Sequence, residues 1–390
     1  MRFSRNLSIL TASALILSLG QEMWFGFAPE YLRALGAGVI ALGLFSSLQD
    51  FFEAIYHYPG GWLNDRFGVR WALVLANLAA ALGYFIYLIS PHFTVVFLGL
   101  PFVMAWPAFV LPSTIDLLGE SLPLKDRPAG FALQAVITKI PGLIAPLAGG
   151  VLISLLGNVE LGVRVGLGLT LIAGLFTILL QSMGYQPSPA QRQIAPPAAV
   201  WRSMNIGLKR LLASEILVRY AEALTRMLIV VYAIGTLKMP YWGFGVMLAT
   251  EAATAMFVNG PLRRIMASVG QKPILLASFI STALFPMTIF LAPDWGWVWF
   301  GFVLAGVRAS GSATRSAILS ALTEPERKGQ QLGLYESLLS LAILPAGLAG
   351  GVLWFFVGPW LTFLLALVSG LAGCAVYWLA GPPSQEVRDQ

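Results

Sequence analysis

A dozen stretches of about 20 mainly apolar residues, the length a helix needs to cross a bilayer, run through the chain, separated by charged or Pro/Gly-bearing turns. They fall near 7–29, 39–58, 71–90, 93–118, 129–156 and 162–183, and then near 213–236, 241–261, 273–292, 295–320, 331–357 and 359–380. In lipid every backbone polar group must be satisfied internally, which leaves the helix as the spanning element for apolar runs this long. The expected fold is therefore an all-α polytopic membrane protein with 12 spans. Composition agrees: 57% of the 390 residues are hydrophobic and 11% are charged, where a soluble domain carries roughly 25% charged residues. A disordered chain would be poor in apolar residues and is excluded. The single cysteine, Cys374, excludes a disulfide framework and a thiolate metal cluster.

The basic residues set the orientation. Arg2, Arg5, Arg66, Arg70, Lys125, Arg127, Arg192, Arg202, Lys209, Arg210, Arg263, Arg264, Lys272, Arg327, Lys328 and Arg388 all fall at one side, with only Arg33, Arg164 and Lys238 at the other. Cytoplasmic loops carry the excess of Lys and Arg, so both termini are expected inside a cytoplasmic (inner) membrane of bacterial type. The net charge of +6 then reflects contact with the inner leaflet and calls for no nucleic acid. Arg2 and Arg5 ahead of Leu7–Leu19 imitate a signal peptide, but without a convincing small-residue cleavage site the run is expected to remain as span 1.

The hexapeptide Leu147–Leu152 recurs unchanged as Leu348–Leu353, an offset of 201. Nearly the same offset pairs Pro59 with Pro261, Gly68 with Gly270 and Pro123 with Pro325. Two pseudo-symmetric six-helix bundles are expected, 1–183 and 213–390 with a short tail, joined by a cytoplasmic linker at 184–212. Parallel repeats of this kind place a substrate site between the halves near the bilayer midplane.

Between spans 2 and 3 the chain reads Gly61-Trp62-Leu63-Asn64-Asp65-Arg66-Phe67-Gly68-Val69-Arg70. Glycines permit a tight turn, and Asp65 with Arg66 and Arg70 can make charge-assisted contacts to neighbouring helix ends. The stretch resembles the G-x-x-x-D-[RK]-x-G-x-[RK] signature of the major facilitator superfamily. The resemblance implies a monomeric secondary transporter with two rocking halves, in which Gly61, Asp65, Arg66, Gly68 and Arg70 form a cytoplasmic gate. The second half departs from it, with Ala267 where Asp65 would align. Span 5 partly matches the family's antiporter motif through Pro146, Gly149 and Gly150, with Pro141 and Ala145 replacing two of its glycines. Span 4 lacks the arginine associated with proton coupling in many members.

Ionisable residues inside spans are costly and are functional candidates by default. Glu22 on span 1 is read either as a proton or substrate group or as a structural partner of Gln21 or of an outer gate. On span 2, Asp50, Glu53 and His57 share one helical face. For Asp50 and Glu53, proton relay and interhelical pairing stand side by side, while His57 lies near the cytoplasmic boundary. Span 7 carries Glu215, Arg219, Glu222 and Arg226 as a stripe of alternating sign, read either as neutralising itself along the helix or as lining the pathway, where pairs that break and reform couple binding to rocking, with Glu222 a proton-coupling candidate and Arg219 and Arg226 substrate candidates. Arg308 on span 10 offers a planar fork for an anion, and Arg315 a partner for Asp116 of span 4. Its neighbours Gly306, Ala309 and Gly311 are small enough for close helix approach or a ligand. Lys139, Glu251 and Glu336 complete the set, and Trp24 and Trp106 are cavity candidates if they are not core.

With two histidines, His57 and His92, and no HExxH, P-loop or Ser-His-Asp arrangement, no enzyme, metal site or cofactor is expected. The leading expectation is proton-coupled efflux, by antiport, of an amphipathic metabolite or drug. Its competitors are a proton-coupled symporter importing an organic anion through Arg308, Arg219 and Lys139, and a non-transporting receptor or lipid scramblase on the same fold.

Overall fold

The computed structural model describes residues 5–107, 139–184, 196–324 and 327–381, without the side chains of 5–7, 10, 58–70, 72, 183–184, 261–267, 310 and 328. Every described element is helical. The chain divides into two compact units, 1–36 with 55–194, and 37–54 with 195–390.

In the first unit α1 (Arg5–Trp24) ends in a short 3-10 turn, Phe25–Phe27, and α2 (Ala28–Ala34) follows. The helical run α3 (Val39–Ile89) has 51 residues and would be about 76 Å long if straight. The chain enters and leaves it at one place, because Phe93 N donates to Leu35 O at 3.2 Å and the Tyr31 hydroxyl to Tyr87 O at 2.7 Å. It therefore doubles back, which accommodates the two apolar runs expected at 39–58 and 71–90. Then come α4 (Phe93–Val103), α5 (Ile140–Leu156) and α6 (Val159–Gly184). The centre of this unit is α1 packed on α5 and α6. A Cβ at Gly149 would collide with the Met23 carbonyl, and one at Gly20 with the Thr170 backbone, so glycine here sets how closely the helices approach.

In the second unit, which includes residues 37–54 of α3, a short helix α7 (Pro197–Ser203) precedes α8 (Ile206–Thr225). Residues 196–212 of the expected linker are thus largely helical, since α8 begins at Ile206. Two turn residues, Arg226 and Met227, interrupt α8, and the chain resumes as α9 (Leu228–Val231) and a π-helical turn, Tyr232–Thr236. There follow α10 (Tyr241–Val269), α11 (Gln271–Phe290), α12 (Val298–Leu322), α13 (Lys328–Phe356) and α14 (Pro359–Ala380). Here α8 packs on α13 and α14, and α12 on α10 and α11.

The repeat read from the sequence recurs as geometry. A Cβ at Gly350 would strike the Leu224 carbonyl just as one at Gly149 would strike that of Met23, and both members of the contact move by 201 residues. One residue further on, at Trp24 and Thr225, α1 and α8 each end.

Among the described helices, five are long and apolar enough to cross a membrane: Val39–His57, Val159–Ser182, Gln271–Phe290, Gly329–Phe356 and Pro359–Ala380. The helix richest in intramembrane charge, α8, is not among them, because its ionisable residues dilute its apolar character. Large apolar side chains stand on the outside, with Leu155 and Phe257 81% and Leu379 83% exposed. Such a surface is stable in lipid and aggregation-prone in water.

Candidate functional site

The intramembrane charges of the second unit form three ion-paired groups. Arg308 of α12 is gripped from both sides, with Nη1 2.7 Å from Glu222 Oε1 on α8 and Nη2 2.7 Å from Glu251 Oε1 on α10. Arg219 Nη1 reaches the other oxygen of Glu222 at 3.0 Å. The small residues of α12 make this possible: a Cβ at Gly306 would overlap Thr254 of α10, and one at Gly311 would overlap Ser278 of α11. They serve close helix approach, and Ser278 Oγ also donates to Arg308 O at 2.9 Å.

Arg315, two turns along α12, holds Glu215 of α8 through Nε at 2.6 Å and Nη2 at 2.9 Å, and Glu336 of α13 through Nη1 at 2.9 Å. The Tyr335 hydroxyl donates to Glu215 Oε2 at 2.8 Å. Glu215 is thus fully buried yet meets a bidentate fork and a hydroxyl, the condition under which a buried charge is tolerated. The expected partner Asp116 lies outside the described residues, and the bidentate partner of Arg315 is Glu215.

The third group joins Asp50 of α3 to Arg226, with Oδ1 to Nη1 at 2.8 Å. Asp50 is completely buried, and its Oδ2 receives no hydrogen bond. One turn on, Glu53 faces Arg226, Glu336, Arg219 and Glu222, but no described cation lies within ion-pair distance of it.

One reading of the span 7 stripe has its charges neutralise one another along the helix. Only Arg219 with Glu222 does so; Glu215, Glu222 and Arg226 all take partners from other elements. A helix offers i, i+3 and i, i+4 partners, but a guanidinium from a neighbouring helix that fits both carboxylate oxygens forms the stronger contact. Arg308, expected as an anion fork, has its charge shared by two carboxylates.

The remaining candidates are dispersed. Trp24 is 2% exposed, donates from Nε1 to Thr170 Oγ1 at 3.1 Å and meets Tyr84 and Tyr87 edge-on, so it packs in the core of the first unit. Gln21, the repeat counterpart of Glu222, donates to the Tyr84 hydroxyl at 2.6 Å. Glu22 is partly buried on α1, and Trp106 is 5% exposed. Lys139 is exposed at the start of α5. Gly149 seats α1, while Pro146 and Gly150 are buried in α5. Gly61, Asp65, Arg66, Gly68 and Arg70 have helical backbone in α3, and their side chains lie outside the described residues.

Sequence reasoning gave no role to Tyr335, Ser46 or Gln49. Nothing in an apolar run marks a lone serine or tyrosine as polar machinery until its neighbours are known. For Tyr335 the only signal was adjacency to Glu336.

The model of the Major Facilitator Superfamily matches residues 10–250. The chain belongs to the major facilitator superfamily. An uncharacterized MFS-type transporter of Methanocaldococcus jannaschii is 22% identical over 409 residues, covering 94% of each chain. A second MFS-type transporter, YfkF of Bacillus subtilis, is 29% identical over 127 residues, 32% of each. Among solved structures, a POT family transporter in complex with 5-aminolevulinic acid superposes with a TM-score of 0.78 at 13% identity, covering 98% of this chain and 96% of that one. The nucleoside transporter NupG gives 0.69 at 12%, covering 99% and 100%. The human organic anion transporter MFSD10 gives 0.68 at 15%, covering 95% and 98%. At such identities the likeness carries the fold alone. As a member of the major facilitator superfamily, the protein is an integral membrane transporter and not an enzyme.

Proposed function

We propose that this transporter works by alternating access of two six-helix bundles, 1–183 and 213–390, with 12 spans and both termini cytoplasmic, and that it expels an amphipathic substrate in exchange for protons. The observation that carries proton coupling is Glu53. Every arginine of the network already holds at least one carboxylate, whereas Glu53 has no described cation within ion-pair distance. A proton on Glu53 therefore neutralises a charge without stranding an arginine, which is costly in a low-dielectric interior. Import of an organic anion would need guanidinium donors, and the carboxylates around Arg308 and Arg315 compete for them.

The moving part is the seam where residues 39–54 of α3 meet α13. A Cβ at Gly43 would strike Gly347, and one at Gly351 would strike Val39, while Leu348 N donates to Ser47 Oγ at 2.9 Å. A contact made of glycine backbones interlocks few side chains and separates with little repacking. Counterflow in proteoliposomes, run with and without an imposed pH gradient, tests the coupling. Uphill movement should follow the gradient and be lost in Glu53→Gln, with downhill exchange retained at saturating substrate; transport blind to the gradient refutes it.

A further inference from the structure

We infer that the substrate is an organic cation bearing N–H donors, a protonated amine or guanidinium, recognised along the Ser46–Asp50–Glu53 face of α3. This rests on the transport reading above and deepens it. Ser46, Asp50 and Glu53 are spaced four and three residues apart, so they stack on one helical face, with Gln49 beside them. Ser46 is 1%, Gln49 6% and Asp50 0% exposed, yet Ser46 Oγ, Gln49 Oε1 and Asp50 Oδ2 take part in no hydrogen bond. Buried polar atoms are ordinarily paired, and each orphan carries a desolvation cost. Each of the three oxygens can accept. Together with the carboxylate of Glu53, which is only partly buried, they call for a positively charged group with several donors. An anion would meet repulsion here, and a quaternary ammonium would supply the charge but leave the acceptors unsatisfied.

The geometry also says how such a ligand reaches the buried oxygens. Ser46 lies at the glycine seam, where a Cβ at Gly347 would touch the Ser46 side chain and Ser47 N. Opening the seam between α3 and α13 uncovers the face, and Glu53 stands at its already accessible end. The charged groups facing Glu53 are Arg226, Arg219, Glu222 and Glu336, with Asp50 on its own helix. A cation binding at Glu53 takes the place of the proton there, so one site serves both.

The test uses the purified full-length protein in detergent with four probes of matched length: hexylguanidinium, hexylammonium, hexyltrimethylammonium and hexanoate. Thermal shift should report saturable binding of the first two, at least tenfold weaker binding of the quaternary ion, and none of hexanoate. Glu53→Gln should weaken hexylguanidinium about tenfold to a hundredfold, the worth of a charge-assisted hydrogen bond. Should that variant fail to fold, Ser46→Ala with Gln49→Leu should lower affinity for hexylguanidinium while leaving the quaternary ion unchanged. Binding of hexanoate, equal binding of the quaternary ion, no binding of either donor-bearing cation, or affinities untouched by these substitutions would overturn the inference. None of these outcomes depends on a pH gradient, so proton coupling stands or falls separately in the counterflow assay.

Discussion

At the scale of single residues, the network is defined by guanidinium groups shared between carboxylates. Arg308 is 22% exposed and joins Glu222 to Glu251. Replacing it with alanine leaves Glu251 without its arginine and Glu222 with Arg219 alone, and Arg308→Ala is expected to cost about 3–5 kcal/mol of stability, read as a fall in unfolding temperature in detergent. Arg308→Lys should recover only part, because an ammonium cannot span two carboxylates as a planar fork does. Tyr335→Phe removes the hydroxyl that donates to Glu215 Oε2 and should cost about 1.5–3 kcal/mol by the same measurement; an unchanged midpoint would mean that the bidentate fork of Arg315 satisfies Glu215 unaided. The candidates themselves were legible as residues: charges in apolar runs announce themselves. Their partners were not. Glu222 could have satisfied Arg219 or Arg226 along its own helix by spacing alone, and the structure gives it Arg219 and Arg308.

At the scale of elements, helix positions are set by glycines that admit a neighbour's backbone. Gly149 and Gly350 seat α1 and α8 at equivalent carbonyls, so Gly149→Val or Gly350→Val is expected to abolish accumulation of folded protein, as judged by monodisperse elution in detergent. Gly168→Ala is the matched control, since a Cβ there meets nothing within 4 Å, and it should behave as the native protein. Gly347 lies on the seam with Gly43 and Ser46. Gly347→Val should prop the seam apart, leaving a folded protein whose counterflow falls to background; full counterflow would show that the seam need not close. The hexapeptide repeat predicted the equivalence of the two glycine contacts, because the same Leu-Ala-Gly-Gly-Val-Leu order presents the same smooth face. The break in α8 at Arg226–Met227 and the π-helical turn after it were not legible, since neither a proline nor a glycine stands at Arg226–Met227 to mark where the hydrogen-bond ladder changes register.

At the scale of the whole molecule, the strong bias of Lys and Arg towards one set of loops predicts that reporters fused at either terminus are active only when cytoplasmic; an externally active reporter at either end would contradict the orientation. The sequence by itself determined that the chain is helical, membrane-embedded, internally repeated and a member of its family. Run length, charge bias and local motifs are properties of contiguous segments, and lipid leaves such segments one backbone solution. Tertiary structure alone decided which carboxylate serves which arginine, and that Asp50 and Glu53 end with acceptor capacity to spare. The physical reason is that a charge in a low-dielectric interior is settled by whatever lies within a few ångströms of it, and those neighbours come from helices far apart in the chain.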